Sequence, residues 1–294
     1  MKPDHRFTNL DKAFWASVRS LSQEVGYTAR GGHGIKVPTV AEMRQAFENL
    51  ELNPLAIEDH RGKPTALANH LAEYFQYRAE ALQHAAPKYL MKGEQARSLF
   101  EKWRAKLNPT CPLPMNKQKG EMKLPAFLTG LVNMMVEHHS GGADCDYDPR
   151  KLTTITRDGA PLRTLARRVD GAFPNSVNPV AIWEIKEYYY TTTFGSRVAD
   201  GVYETLLDGL ELEELRITND VDVKHYLMID AYQTWWVQGK AYLCRIVDML
   251  NMGYVDEVLF GREVVDELPR LVAEWVRLAQ IRKRRGTADP PAPF

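Results

Sequence analysis

Apolar side chains recur at helical spacing along residues 1–107. Asn9 or Asp11 can cap the first of these stripes, and Thr39 followed by Glu42 matches a capping box. The pattern predicts a helical N-terminal domain over residues 1–107. Its four apolar stripes run from Leu10 to Val25, from Met43 to Leu50, from Leu67 to Leu82 and from Leu99 to Leu107.

Two segments lack this periodicity. Residues 108–120, NPTCPLPMNKQKG, contain three prolines and predict a linker between two domains. Residues 286–294, GTADPPAPF, are short of the large apolar side chains that a core needs, and they predict a disordered tail.

Helical and strand-like patterns alternate between the linker and the tail, which predicts an α/β domain over residues 121–285. The first helix covers LPAFLTGLVNMMVEHH, and a β-hairpin over residues 168–189 is predicted from two apolar segments around a turn rich in proline and asparagine. The predicted elements are a helix at 124–139, a strand at 151–159, the hairpin, a helix near 197–208, a strand at 225–232, a helix near 240–251, a strand at 255–260 and a long helix near 262–282.

Composition and charge exclude several classes of protein. Lysine plus arginine equals aspartate plus glutamate, at 38 each, so no overall positive field favours nucleic acid or membranes, and any such binding must use local basic patches. The three cysteines are widely spaced and form no CxxC pair, which indicates a reducing compartment. No apolar run has the length of a membrane span, and the N-terminus lacks a signal-peptide core. We therefore expect a cytoplasmic protein that does not contact a membrane.

Charged residues interrupt the second strand of the predicted hairpin, VAIWEIKEYY. Because strand side chains alternate between faces, Glu184 and Lys186 lie on the same face. Asp170 lies in the first apolar segment, so pairing of the two strands would bring two carboxylates and one ammonium group together.

Two other interpretations of these charges stay open. Asp222 and Lys224 repeat the spacing of Glu184 and Lys186, and Asp208 precedes Asp222 by the interval that separates Asp170 from Glu184. Context favours Asp170 and Glu184, because Asp222 lies in a polar stretch before its strand begins. The second interpretation is an exposed salt bridge on the hairpin, which would contribute little to stability.

Two carboxylates at the ends of adjacent strands can hold Mg²⁺, which prefers oxygen ligands and keeps several of its waters. The ion lowers the pKa of a bound water and neutralises charge on a phosphoryl oxygen. Lys186 can orient the attacking water or stabilise the phosphate in the transition state. This combination predicts hydrolysis of phosphodiester bonds.

The motif Asp170…Glu184-Ile185-Lys186, with a helix and a strand on either side of the hairpin, resembles the PD-(D/E)XK nuclease superfamily, which includes type II restriction endonucleases. Val169 stands where the motif has proline. The resemblance implies a restriction-endonuclease-like mixed sheet flanked by helices. It makes Asp170 and Glu184 metal ligands and Lys186 the catalytic lysine, and Glu121, near the first helix, is the candidate for a further acidic residue.

The resemblance implies a Mg²⁺-dependent DNA endonuclease, with Mn²⁺ as a substitute, in a restriction or anti-phage role. The expected partner is double-stranded DNA, cut by a two-fold homodimer. A repair or recombination nuclease is the alternative within the superfamily. The non-enzymatic alternative is a DNA-binding module that uses helices 39–50 and 65–84, although the segment between them is longer than the usual helix-turn-helix turn.

Several basic residues are candidates for DNA contacts. Arg30 and Lys36, in the glycine-rich loop ARGGHGIKVP with His33, suit a groove or backbone contact, and an ordinary connector is the alternative. Arg197 follows the aromatic and hydroxyl-rich tract EYYYTTTFGSR beside the proposed site. The basic run IRKRR, 281–285, either contacts DNA or stabilises the C-terminus of its helix.

Overall fold

The computed structural model describes residues 1–29, 34–116, 118–120, 123–189 and 195–286. Arg30 and Glu121, two candidates from the sequence, lie outside the described residues, as do His33 and residues 287–294 of the predicted tail. In the part of the chain that is described, no helix is long and apolar enough to cross a membrane.

Four α-helices make up the described N-terminal part, and the first two begin at caps that the sequence predicts. Asp11 accepts a hydrogen bond from the amide of Ala13 at the start of the first helix. Thr39 and Glu42 form the predicted capping box of the second helix, so the local polar pattern determines where these helices begin. The four helices are α1 (Lys12–Val25), α2 (Val40–Asn49), α3 (Ala66–Tyr89) and α4 (Gly93–Leu107).

The remainder of the described chain is a mixed α/β structure. The predicted helix near 240–251 is found at Lys240–Asn251, and the helix predicted near 197–208 continues to Asn219. The elements in chain order are α5 (Phe127–His139), β1 (Asp146–Tyr147), β2 (Thr154–Arg157), β3 (Ala160–Thr164), β4 (Gly171–Phe173), β5 (Ala181–Glu187), α6 (Ser196–Asn219), β6 (Lys224–Asp230), α7 (Lys240–Asn251), β7 (Glu257–Phe260) and α8 (Glu263–Gly286).

The central sheet has five strands in the order β1-β4-β5-β6-β7. β1, β4 and β5 pair antiparallel, whereas β5, β6 and β7 pair parallel, so the sheet is mixed. The predicted hairpin is formed by β4 and β5, with Gly171 opposite Trp183. The strand predicted at 151–159 is β2, which pairs with β3 in a separate two-stranded sheet.

Helices cover both faces of the central sheet. On one face, Trp183 of β5 packs with α5 and with Trp275 of α8. On the other face, Ile182 of β5 packs with Leu212 of α6, and β6 packs against α7. The C-terminal half of α3 joins this second layer through Leu82, so the N-terminal helices pack directly on the α/β part.

Candidate active site

Pairing of β4 with β5 brings Asp170 opposite Glu184. The amide of Asp170 donates to the carbonyl of Trp183 at 3.1 Å, which extends the strand register outward by one residue. The amide of Ile185 donates to Oδ2 of Asp170 at 2.8 Å. The backbone of β5 therefore fixes the carboxylate of Asp170 at the end of the hairpin.

Glu184 and Lys186 lie on the face of β5 that α6 covers. Glu184 is fully buried and Lys186 is 8% exposed. Nζ of Lys186 donates to Oε2 of Glu184 at 2.8 Å and to Oε2 of Glu204, on α6, at the same distance. Glu184 and Lys186 thus lie on one face of β5, with Asp170 opposite Glu184, as the sequence predicts. The carboxylate of Glu204 reaches Lys186 from α6.

Arg167, Glu204 and Asp208 complete the arrangement, and sequence reasoning did not select them for this site. Arg167 lies three residues before Asp170, and its Nη1 is 2.8 Å from Oε1 of Glu184 and 2.6 Å from Oδ2 of Asp208. Its Nη2 is 3.3 Å from Oε2 of Glu204. Glu204 and Asp208 are four residues apart, so they share one face of α6, and this spacing is the signal that would have indicated them. The charged cluster consists of Arg167, Asp170, Glu184, Lys186, Glu204 and Asp208.

Carboxylates outnumber cations in the charged cluster by four to two, so full ionisation leaves two negative charges in excess. Burial, together with the charge of Glu184, raises the pKa of Asp170 to about 6 and that of Asp208 to about 7. Burial opposes the ionisation of Glu184 as well, but Lys186 and Arg167 outweigh it and lower the pKa of Glu184. Excess negative charge of this kind favours binding of a cation.

Lys186 is a proton-bearing group at neutral pH. Burial by itself would lower the pKa of its ammonium group, but the charges of Glu184 and Asp170 and the hydrogen bonds to Glu184 and Glu204 raise that pKa above its ordinary value. A lysine held in this form donates hydrogen bonds and positive charge. It does not act as a general base in this state.

The carboxylate oxygens of the charged cluster are the type of ligand that a hard divalent cation takes. Oε1 of Glu184 and Oδ1 of Asp208 are buried and accept no hydrogen bond, although Oε1 lies close to Arg167. Within the described ranges there is no group of three or more His, Cys, Asp or Glu side chains arranged to hold a metal. Mg²⁺ is commonly held by one or two carboxylates together with water and substrate phosphate, and Asp170 and Glu184 fit that pattern.

The competing acidic pair is arranged differently. Lys224 binds Asp222 at 2.8 Å and Asp256 at 3.2 Å, where β6 begins. Asp208 does not join them, because its carboxylate binds Arg167 in the charged cluster. Asp222 and Lys224 therefore form a partly exposed ion pair. Asp208, which the sequence spacing grouped with them, belongs instead to the charged cluster.

The described candidates for DNA contacts differ in their surroundings. Lys36 forms an ion pair with Glu42, which caps α2. Arg197 is exposed in the first turn of α6, and its carbonyl accepts a hydrogen bond from the hydroxyl of Tyr188. Arg197 is exposed whereas Lys36 is paired, so Arg197 is the more available cation of the two.

Arg282, within the basic run 281–285, has an internal role. Its Nη1 donates to the carbonyls of Asn178 and Pro179 at 3.1 and 2.6 Å, and its Nη2 donates to the carbonyl of Asp222 at 2.9 Å. These bonds tie α8 to the loops that precede β5 and β6. Arg282 therefore stabilises the fold through contacts that its helix position alone did not indicate.

A cavity of about 630 Å³ opens beside Asp170. Thr129 and Asn133 of α5 line one side, and Tyr147 of β1 lines another. The lining carries charges of both signs, and Arg150 forms an ion pair with Asp148 at 3.0 Å. A group bound in this cavity would lie next to the carboxylate of Asp170, so the cavity provides a route from the surface to one end of the charged cluster.

Residues 91–275 match the family model described as "Domain of unknown function (DUF7687)", and the chain belongs to that family. Residues 1–85 match a second model, described as "Domain of unknown function (DUF7690)". No curated protein and no solved structure matches the chain. All six residues of the charged cluster lie within the segment that the first model matches.

Proposed function

We propose that this protein is a Mg²⁺-dependent DNA endonuclease related to the PD-(D/E)XK nucleases. The observation that carries the proposal is the position of Asp170 opposite Glu184, with Lys186 two residues further on the same face of β5. The order of elements adds support, because α5 precedes the antiparallel pair of β4 and β5, and α6 then leads to the parallel strand β6. That order resembles the restriction-endonuclease fold.

Each residue of the motif has a role that its surroundings support. Asp170 and Glu184 would hold the ion, which supplies a polarised water and neutralises charge on the scissile phosphate. Lys186 holds its proton and donates to an oxygen of the phosphate or of the attacking water. Burial beneath α6 lowers the local dielectric, so the charge of Lys186 acts more strongly there than it would in bulk water.

The wider setting follows from the same resemblance. We propose double-stranded DNA as the substrate, a homodimer as the cutting form, the cytoplasm as the compartment and restriction or anti-phage defence as the role. A repair or recombination nuclease would use the same residues. Mapping of the cleaved ends on plasmid and phage DNA would separate these roles, since a restriction enzyme cuts at defined sequences.

A purely structural role for the charges is the second candidate, and one observation favours it. Arg167 and Lys186 already contact Glu184, so the cluster is largely paired without a metal. In that case the protein would be a DNA-binding module or a protein of another class, and substitutions in the cluster would lower stability without affecting any cleavage.

The test is Mg²⁺-dependent cleavage of supercoiled plasmid by Lys186→Ala and by its matched control, Lys224→Ala. We expect Lys186→Ala to abolish cleavage, a loss of about 10²-fold or more, because the lysine acts on the reacting phosphate. Lys224 also follows an acidic residue by two positions, but it forms a partly exposed ion pair, so its variant should cleave like the wild type. Loss of cleavage in Lys224→Ala alone, with the fold intact, would show that the wrong pair was selected.

Metal substitution tests the proposed ligands. Asp170→Asn should abolish cleavage with Mg²⁺ and regain part of it with Mn²⁺ or at higher Mg²⁺, because a ligand has been weakened. Ca²⁺ should support DNA binding without cleavage, since its looser coordination does not hold the reacting groups in line. If the wild type binds no DNA, and the cluster variants only lower its melting temperature, the charges are a structural ion network.

A further inference from the structure

Glu204 differs from its neighbours in the charged cluster by its exposure to solvent. Its side chain is 43% exposed, whereas that of Lys186 is 9% exposed and those of Glu184 and Asp208 are fully buried. Oε2 of Glu204 lies 2.8 Å from Nζ of Lys186 and 3.3 Å from Nη2 of Arg167. One carboxylate oxygen of this partly exposed side chain therefore bridges the two cations of the site.

The same two cations also share an oxygen of Glu184. Nζ of Lys186 and Nη2 of Arg167 donate to Oε2 of Glu184 at 2.8 and 3.0 Å. Guanidinium and ammonium groups both carry a positive charge at neutral pH. Arg167 and Lys186 thus both contact two carboxylate oxygens, Oε2 of the buried Glu184 on β5 and Oε2 of Glu204 on α6.

We propose that Arg167 and Lys186 form a binding site for a phosphate oxygen of a nucleic-acid backbone, and that the carboxylate of Glu204 fills this site in the free protein. Guanidinium and ammonium groups bind carboxylate and phosphate oxygens through the same charge-assisted hydrogen bonds. Glu204 would be the group that leaves, since its side chain is already partly exposed and water can solvate its carboxylate. The carboxylate of Glu184 is fully buried, so its departure would leave Arg167 and Lys186 without their buried counter-charge, which is costly.

The inference extends the proposed function in one respect. That the phosphate belongs to DNA rests on the nuclease proposal, whereas the anion site itself depends only on the contacts of Arg167, Lys186 and Glu204. Arg167 gains a role that the motif does not assign, as a phosphate-binding residue beside the catalytic lysine. Glu204 becomes a carboxylate whose removal strengthens substrate binding, in contrast to a metal ligand, whose removal would abolish activity.

The experiment compares the affinity of the wild type and of Glu204→Gln for inorganic phosphate by titration calorimetry, with and without Mg²⁺. We expect Glu204→Gln to bind phosphate about fivefold more tightly, the effect of removing one competing, partly exposed ion pair. Glu204→Ala should increase the phosphate affinity at least as much. This second variant is needed because the side-chain oxygen in Glu204→Gln can still accept hydrogen bonds from the two cations. The matched control is Asp200→Asn, which removes an exposed charge one turn earlier on α6.

The outcomes separate this inference from the nuclease proposal. The gain should disappear when Arg167→Ala is added to Glu204→Gln, because one of the two donors is then missing. Unchanged phosphate affinity in both Glu204 variants, or an equal gain in Asp200→Asn, would overturn the anion site whether or not DNA is cleaved. A gain that is specific to Glu204, in a protein whose wild type cleaves no DNA, would support the anion site and refute the nuclease.

Discussion

Asp208 carries the clearest pH signature among the individual residues of the site. It is fully buried on α6, and burial and the charge of Glu184 raise its pKa to about 7, although Arg167 lies 2.6 Å away. The folded protein therefore binds this proton more tightly than the unfolded chain does. A raised carboxyl pKa stabilises the fold at acidic pH, and that contribution is lost as the pH rises from about 4 to about 7.

Asp208→Asn should remove this part of the pH dependence. In the wild type, the Asp208 contribution to the free energy of unfolding should fall by about 2 kcal/mol between pH 5 and pH 7. Asparagine does not titrate, so the variant should show a correspondingly flatter profile in urea unfolding at a series of pH values. The exposed variant Asp200→Asn serves as the control. A profile for Asp208→Asn that parallels the wild type would show that Asp208 ionises normally.

At the scale of elements, the hairpin of β4 and β5 depends on a glycine. A Cβ added at Gly171 would lie 2.0 Å from Cε2 of Trp183, the residue that pairs with it across the hairpin. The Trp183 ring cannot easily move, because it stacks on Trp275 with the ring centroids 5.2 Å apart. The close approach of the two strands therefore requires glycine at position 171.

Gly171→Ala should destabilise the protein by about 1–3 kcal/mol or more, the usual cost of overpacking a rigid core. Because Asp170 and Glu184 flank this pair of residues, the substitution should also reduce any cleavage activity. Chemical unfolding followed by tryptophan fluorescence measures the first effect. Gly34→Ala is the matched control, since a Cβ there would meet no atom within 4 Å. Equal stability of the two variants would contradict this account of the hairpin.

At the scale of the whole molecule, a buried ion pair joins the N-terminal helices to the α/β part. Nη1 of Arg78, on α3, lies 3.1 Å from Oδ1 of Asp248, on α7, and both side chains are almost completely buried. The hydroxyl of Tyr74 donates to the same oxygen at 2.6 Å. Because α3 contributes both to the core of the N-terminal helices and to the core against the central sheet, we expect the two parts to unfold together.

Asp248→Ala should lower the free energy of unfolding by about 3–5 kcal/mol, because it leaves the guanidinium of Arg78 buried without its counter-charge. Glu101→Ala, which breaks an exposed pair with Arg97 on α4, should change stability by less than about 0.5 kcal/mol. Circular dichroism and tryptophan fluorescence should report one coincident transition in all three proteins. Two separate transitions in the wild type would show that the helices and the sheet unfold independently.

Much of the secondary structure was predictable from the sequence, because its signals are local. The capping box at Thr39 and Glu42 defined the start of α2, and the apolar stripe near 240–251 matched α7. Alternation along β5 placed Glu184 and Lys186 on one face before any partner was known. The prediction of two domains divided at residues 108–120 stays a prediction.

The composition of the charged cluster was decided by tertiary structure. The loop that carries Arg167 and the face of α6 that carries Glu204 and Asp208 meet β5 only after the helix packs on the sheet. Sequence spacing alone grouped Asp208 with Asp222 and Lys224, and not with the charged cluster. Periodicity determines which way a side chain points along its own element, whereas contacts between distant segments depend on how those elements pack, and no local pattern encodes that.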